Sequence, residues 1–213
     1  MEEKKENKGL VYVFTGDGKG KTSTAFWTGV RMALRGKRVA AVQFYKEARW
    51  PTAEQKVQRL FAGKSGRSSK TSRKGSFDVF LLGKGFYKLP TDHASKGEHK
   101  EAAGAGMDLA KNILMVSNSL KTRPGLVNLQ GRALQIKPVD LLILDEVNNA
   151  VADELTELTE LTELIEGRGK THLVLTGRNA HKEIIAAADL VTEMKKIKHP
   201  FDRGVKAIKG LDF

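Results

Sequence analysis

The sequence predicts an α/β fold in which a doubly wound, mainly parallel sheet carries helices on both faces. Three observations predict it. Short apolar runs, LVYVF from Leu10, VAAVQF from Val39 and VDLLIL from Val139, alternate with segments of helical periodicity. The first run passes directly into the glycine-rich turn Thr15-Gly-Asp-Gly-Lys-Gly-Lys-Thr22. The third ends on the adjacent carboxylates Asp145-Glu146.

Taken in order, residues 1–8 are a polar tail, and residues 9–213 are expected to form one domain. Leu10 to Phe14 is apolar along its length, as a central parallel strand covered on both faces should be. Thr22 to Leu34 follows as a helix with Ala25, Phe26, Val30, Ala33 and Leu34 on its inner stripe, Arg31 and Arg35 outward, and Gly36 as its stop. Arg38 to Phe44 is the second strand, which closes a βαβ unit of right-handed crossover. Tyr45 to Pro51 then falls at the carboxyl edge of the sheet, where open α/β folds bind ligands, so Lys46, Arg49 and Trp50 are site candidates.

Thr52 to Phe61 reads as a short helix. Residues 62–76, with five basic residues, no acid and Ala62 as the sole apolar residue, read as a basic mobile loop. A third strand spans 77–82. A long helix spans 95–120, weakened by Gly104 and Gly106, and a loop forms around Arg123-Pro124-Gly125. Val139 to Leu144 is the next buried strand. Residues 152–166 repeat Thr-Glu-Leu, and Leu155, Leu158, Leu161 and Leu164 form a core-facing helical stripe. A strand at 170–176 runs into Thr176-Gly177-Arg178, followed by a helix at 181–188, a short strand at 189–194 and a basic tail.

The turn at 15–22 matches the P-loop pattern G-x-x-x-x-G-K-[ST], except that Thr15 stands in the place of the first glycine. Gly16, Gly18 and Gly20 let successive N–H groups converge, and Lys21 with the following helix N-terminus adds positive charge. The predicted fold is therefore P-loop NTPase-like, of the RecA-like kind. The carboxylates supply its second acidic element. One of Asp145 and Glu146 can hold Mg²⁺ beside the Thr22 hydroxyl while the other orients water or a sugar hydroxyl; the pattern leaves open which does which. Arg178 follows a strand of the same sheet and can reach the phosphates.

Composition narrows the function further. The chain of 213 residues is too short for the paired cores of a helicase or motor. A net charge of +12 favours anionic partners, and the absence of cysteine removes thiolate metal sites and nucleophiles and suits a reducing cytoplasm. No apolar run approaches roughly 18 residues, so no membrane span is expected. No Asn-Lys-x-Asp follows a late strand, which argues against guanine specificity of the small-GTPase kind. The five histidines show no metal-ligand spacing.

TGDGKGKTS, VAAVQFYK, the Trp50-Pro51 pair, Gly85-Phe86, LILDEVNNAV, LTGRNAHKEIIAAADLVTEM and the ending IKHPFDRGVKAIKGLDF together resemble the P-loop ATP:corrinoid adenosyltransferases, over about three quarters of the chain. The TGR-x-x-H segment and the C-terminal block are the most specific parts. Thr15 also matches this family. The resemblance implies that a Co(I) corrinoid attacks the 5′ carbon of ATP and expels tripolyphosphate, in cobalamin biosynthesis or salvage. It implies a nucleotide lying reversed relative to ordinary P-loop enzymes, a homodimer, and a cellular reductase for Co(II). Carried over residue by residue, it implies Gly16, Asp17, Gly18, Lys19, Gly20, Lys21, Thr22 and Ser23 for the triphosphate, Thr22 and Glu146 around metal and ribose, and Arg178 near the phosphates. Phe86 is implied above the corrin, and Lys46 and Trp50 are binding candidates from their place at the sheet edge.

The chain departs from the family in three places. Phe86 is present, but Lys88 stands where a tryptophan is expected; MEEKKENK has no counterpart of the N-terminal helix; and residues 62–76 and 117–138 are insertions. Two further functions compete: a nucleic-acid-stimulated ATPase, suggested by the charge and the basic loop, and a nucleotide- and corrinoid-binding protein without turnover.

Overall fold

The computed structural model describes residues 8–47, 49, 52–61, 75–119, 125–129 and 132–211, with 125–129 and Arg132 as backbone alone. The polar tail up to residue 7, Trp50 and residues 62–74 of the basic loop lie outside them. Six strands form one sheet: β1 (Val11–Thr15), β2 (Arg38–Gln43), β3 (Ser76–Leu81), β6 (Leu141–Asp145), β7 (His172–Thr176) and β8 (Leu190–Glu193). Their spatial order is β3-β2-β6-β7-β1-β8, and every neighbouring pair is parallel. Two further strands, β4 (Gly125–Leu129) and β5 (Arg132–Ile136), pair antiparallel apart from it.

The apolar runs are continuous because both faces of the sheet are covered. Along β6, Leu142 and Leu144 enter one core with Met107, Ala110 and Ile113 of α3 (Lys96–Asn118) and Leu161, Leu164 and Ile165 of α5 (Leu158–Glu166). Leu141 and Ile143 enter the other core with Ala25, Phe26 and Ala33 of α1 (Lys21–Leu34). The remaining helices are short: α2 (Val57–Phe61) behind a 3₁₀ turn at Glu54–Lys56, α4 (Val147–Ala152) and α6 (Lys182–Ala187). At Gly106 a Cβ would sit 2.9 Å from the Phe44 ring, so this glycine lets α3 approach the sheet rather than merely weakening the helix. Ser95 and Glu98 form a capping box that fixes where α3 begins.

Three local expectations are corrected. Leu34 is exposed rather than on the inner stripe of α1, and Gly29 takes the buried position, facing the Phe77 ring. The helix expected over 152–166 starts only at Leu158, as α5; Ala152 closes α4, and Asp153 to Glu157 part the two, with Glu154 left-handed at φ 57°. The stretch around residue 125, expected as a loop, enters an antiparallel pair in which Gly125–Leu129 lies against Arg132–Ile136.

Candidate active site

The sheet order places β7 between β1 and β6, so the glycine-rich loop after β1 and the acidic pair at the end of β6 lie on either side of Thr176-Gly177-Arg178. All three elements meet at one carboxyl edge, with strand spacing setting the outer two about 10 Å apart. Thr15 completes β1 as a strand residue, and its buried hydroxyl accepts the Ala180 N–H at 3.3 Å. The turn then falls on Gly16, with φ 93°. Gly18 passes close against the chain after β8: its N–H donates to the Met194 carbonyl at 2.6 Å, and a Cβ there would meet that oxygen at 2.7 Å. Lys21 is buried, and its Nζ donates to the carbonyls of Gly16 at 2.7 Å and Gly18 at 2.8 Å. Burial pulls its pKa down from the ordinary lysine range.

Asp145 is fully buried, and each of its carboxylate oxygens is engaged. Gln43 Nε2 donates to Oδ2 at 2.8 Å and the Thr176 hydroxyl donates to Oδ1 at 2.7 Å. The same Thr176 hydroxyl accepts the Glu146 N–H at 2.9 Å, which ties the ends of β2, β6 and β7 into one unit. Glu146 itself is left-handed, with φ 66°, and faces the cleft. Burial, reinforced by the neighbouring Asp145 charge, pushes its carboxyl up to about 7 against the opposing pull of Lys46, Lys21 and Arg178. The Arg178 N–H is held by Asn149 Oδ1 at 2.6 Å, and its guanidinium lies 3.9 Å from the Asp17 carboxylate.

Together these groups open on one cleft of about 790 Å³, within the size range of small-molecule sites. Asp17 to Ser23, Lys46, Phe86, Glu146 and Arg178 all line it. Gly16 and Asp145 lie behind the lining, Arg49 is not part of it, and Trp50 lies outside the described residues. At the far end Lys46 Nζ stands 4.6 Å from the centre of the Phe86 ring, and the Tyr45 ring centre lies 6.3 Å from it. Tyr45 in turn donates its hydroxyl to Asp153 at 2.7 Å, which with burial raises its pKa.

Sequence reasoning missed the wall made by the C-terminal segment. Lys196, His199, Phe201, Asp202, Val205, Lys206, Ile208 and Leu211 line the same cleft, around a 3₁₀ turn at Pro200–Arg203. Lys19 Nζ reaches the Leu211 carbonyl at 3.2 Å. It also missed Gln43, Thr176 and Asn149, which touch the site residues rather than the cleft. Among the described residues no three His, Cys, Asp or Glu side chains group as a metal site, and no helix is long and apolar enough to cross a membrane.

The family model described as ATP:corrinoid adenosyltransferase BtuR/CobO/CobP matches residues 7–213. The chain is 30% identical to the corrinoid adenosyltransferase CobA of Salmonella typhimurium over 210 residues, 98% of this chain and 87% of that protein. It is 30% identical to a corrinoid adenosyltransferase of a Sinorhizobium species over 215 residues, covering 100% and 84% of the two chains. A Pseudomonas aeruginosa corrinoid adenosyltransferase is 31% identical over 210 residues, 98% of this chain and 86% of that one.

Proposed function

Because the chain belongs to the ATP:corrinoid adenosyltransferase family, we propose that it transfers the 5′-deoxyadenosyl group of ATP to a Co(I) corrinoid and releases tripolyphosphate, in cobalamin biosynthesis or salvage. One observation carries the assignment of roles: the glycine-rich loop, Glu146, Arg178 and Phe86 open on a single cleft. In the reaction the cobalt supplies an electron pair to the 5′ carbon, and the carbon–oxygen bonding pair leaves on the triphosphate. The substrate is thus its own nucleophile, and the protein's tasks are alignment and stabilisation of the departing charge.

The loop from Gly16 to Ser23, with Lys21, cradles the triphosphate as a P-loop, while the Gly18 N–H is held by the Met194 carbonyl. Lys21 leaves its two loop carbonyls for the phosphates, and its lowered pKa reflects the desolvated setting in which its charge acts most strongly. Arg178 stands on the same side, beside Asp17, and stabilises the leaving oxygens. Lys46 and Phe86 form the corrinoid side, and Trp50 is proposed to join them.

The donor set suits Mg²⁺, which takes one or two carboxylates together with substrate phosphates. Glu146 and Thr22 both line the cleft, and both offer oxygen donors to it. Glu146 and Thr22 would hold the ion directly, while Asp145, with both oxygens taken by Gln43 and Thr176, would act behind them as an orienting charge. Bound there, Mg²⁺ supplies charge neutralisation for the triphosphate. A homodimer and a Co(II) reductase complete the proposal.

The test mixes the protein anaerobically with Mg-ATP and chemically reduced cobalamin and follows the light-sensitive Co–C absorbance together with the phosphate product. Adenosylated corrinoid with stoichiometric tripolyphosphate is expected. Orthophosphate without a Co–C bond would instead identify an ATPase, and neither product would identify a binding protein.

A further inference from the structure

We propose that Asp92 is a positioning residue for the transfer: paired with His99, it holds residues 83–95 in the conformation that brings Phe86 to the end of the cleft. This rests on the reading of Phe86 as part of the corrinoid side. The segment links β3 to α3 and lies outside the regular sheet and helix hydrogen bonding, so its shape depends on side chains. Asp92 supplies them. Its Oδ2 accepts the Lys88 N–H at 2.9 Å, its Oδ1 accepts the Ala94 N–H at 3.2 Å and meets His99 Nε2 at 2.9 Å, and its own N–H donates to the Leu89 carbonyl at 2.8 Å.

Each contact bears on Phe86. Lys88, two residues on, is left-handed with φ 59°, a conformation a lysine keeps where its surroundings hold it, and the Asp92 oxygen holds its N–H. Tyr87, the next residue, lies with its ring centre 5.1 Å from that of His99. His99 is 4% exposed on the inner side of α3, and the Ser95–Glu98 capping box fixes the turn from which it projects. The Asp92–His99 pair therefore clamps the loop onto a helix whose start is itself fixed. Asp92 does not line the cleft, so its influence on the reaction passes through the loop. The Tyr45 side of Phe86 is anchored through Asp153, which meets the loop only at the exposed Lys88 ammonium, 3.7 Å away, a surface pair of small worth; the loop backbone is left to Asp92.

The experiment is a double-mutant cycle of Asp92→Ala and Phe86→Ala in the full chain, assayed with chemically reduced cobalamin and Mg-ATP. Asp92→Ala is expected to lower kcat/KM for cobalamin about tenfold while the KM for ATP stays within about twofold, and to cost less than about twofold in the Phe86→Ala background. If Asp92→Ala does not fold, Asp92→Asn, which keeps the size and one acceptor oxygen, should show a smaller loss with the same non-additivity. A loss at Phe86 to which the Asp92 variant adds in full would overturn the positioning role alone. Phe86→Ala with unchanged cobalamin kinetics would overturn the reading of Phe86 and the proposal with it.

Discussion

The two ends of the cleft are built by different means. At the glycine-rich end the contacts fix the main chain from all sides: the Gly18 N–H lies on the Met194 carbonyl, Lys21 Nζ donates into two loop carbonyls, and Asp145 is clamped by side chains of both neighbouring strands. At the Phe86 end the contacts are side chains on a connecting segment. Phe86 is 38% exposed, Lys88 adopts a strained conformation, and its ammonium stands 3.7 Å from Asp153 as a surface pair of small worth. A triphosphate has one shape, and a backbone cradle suits it whatever the side chains are. The second substrate is large and is met by groups that substitution can change one at a time.

Breaking the comparison at its firm end should give the largest effect. Lys21→Ala removes a charge and two hydrogen bonds from the loop, and kcat/KM for ATP should fall by at least about a hundredfold. A variant that turns over near-normally would remove the glycine-rich loop from the reaction. Glu146→Gln should come next, with a loss of about ten- to a hundredfold in turnover and a raised requirement for Mg²⁺.

The same variant should move stability in the opposite direction. With its carboxyl pushed up to about 7 from the ordinary 4.5, Glu146 binds its proton more tightly in the folded chain than in the unfolded one. Its contribution is therefore fully present below about 4.5 and lost as pH rises through about 7. Melting temperatures without nucleotide should show Glu146→Gln gaining on the parent between pH 5 and pH 8. A gap independent of pH would mean that Glu146 is not desolvated.

Much of the firm end was legible in the sequence, because its chemistry is local: TGDGKGKT, LILDE and TGR each sit at the end of an apolar run. What completes it was not. Gln43, Asp145 and Thr176 become neighbours through the lateral order β2-β6-β7, which no short stretch encodes. The C-terminal wall has no apolar periodicity over residues 195–211, so in sequence it is only a basic tail. The exposure of Leu34 and the break between α4 and α5 follow from tertiary packing overriding a pattern that continued in sequence. At the Phe86 end Asp92 and His99 are seven residues apart, and the capped start of α3 at Ser95 and Glu98 brings their side chains together.

The smallest effects sharpen the comparison through a pair of glycine exchanges run in opposite directions. Gly18→Ala places a methyl 2.7 Å from the Met194 carbonyl oxygen and 2.9 Å from the Lys195 carbonyl carbon, so two backbone segments must part. That should cost about 1–3 kcal/mol, the usual range for overpacking, with ATP binding weakened in step. Lys88→Gly relieves the left-handed lysine, worth about 1 kcal/mol, but gives the unfolded chain backbone freedom worth about 0.5–1 kcal/mol. It also removes a cation 4.8 Å from the Tyr87 ring, on a side chain that is largely solvated. These terms nearly cancel, so denaturant unfolding should register a change within about 0.5 kcal/mol. A loss well above that would mean that the Lys88 side chain, rather than the Asp92 clamp on its backbone, shapes the loop. The corrinoid end would then be held from its surface, and the division between a backbone-built and a side-chain-built end would extend to the outermost contact.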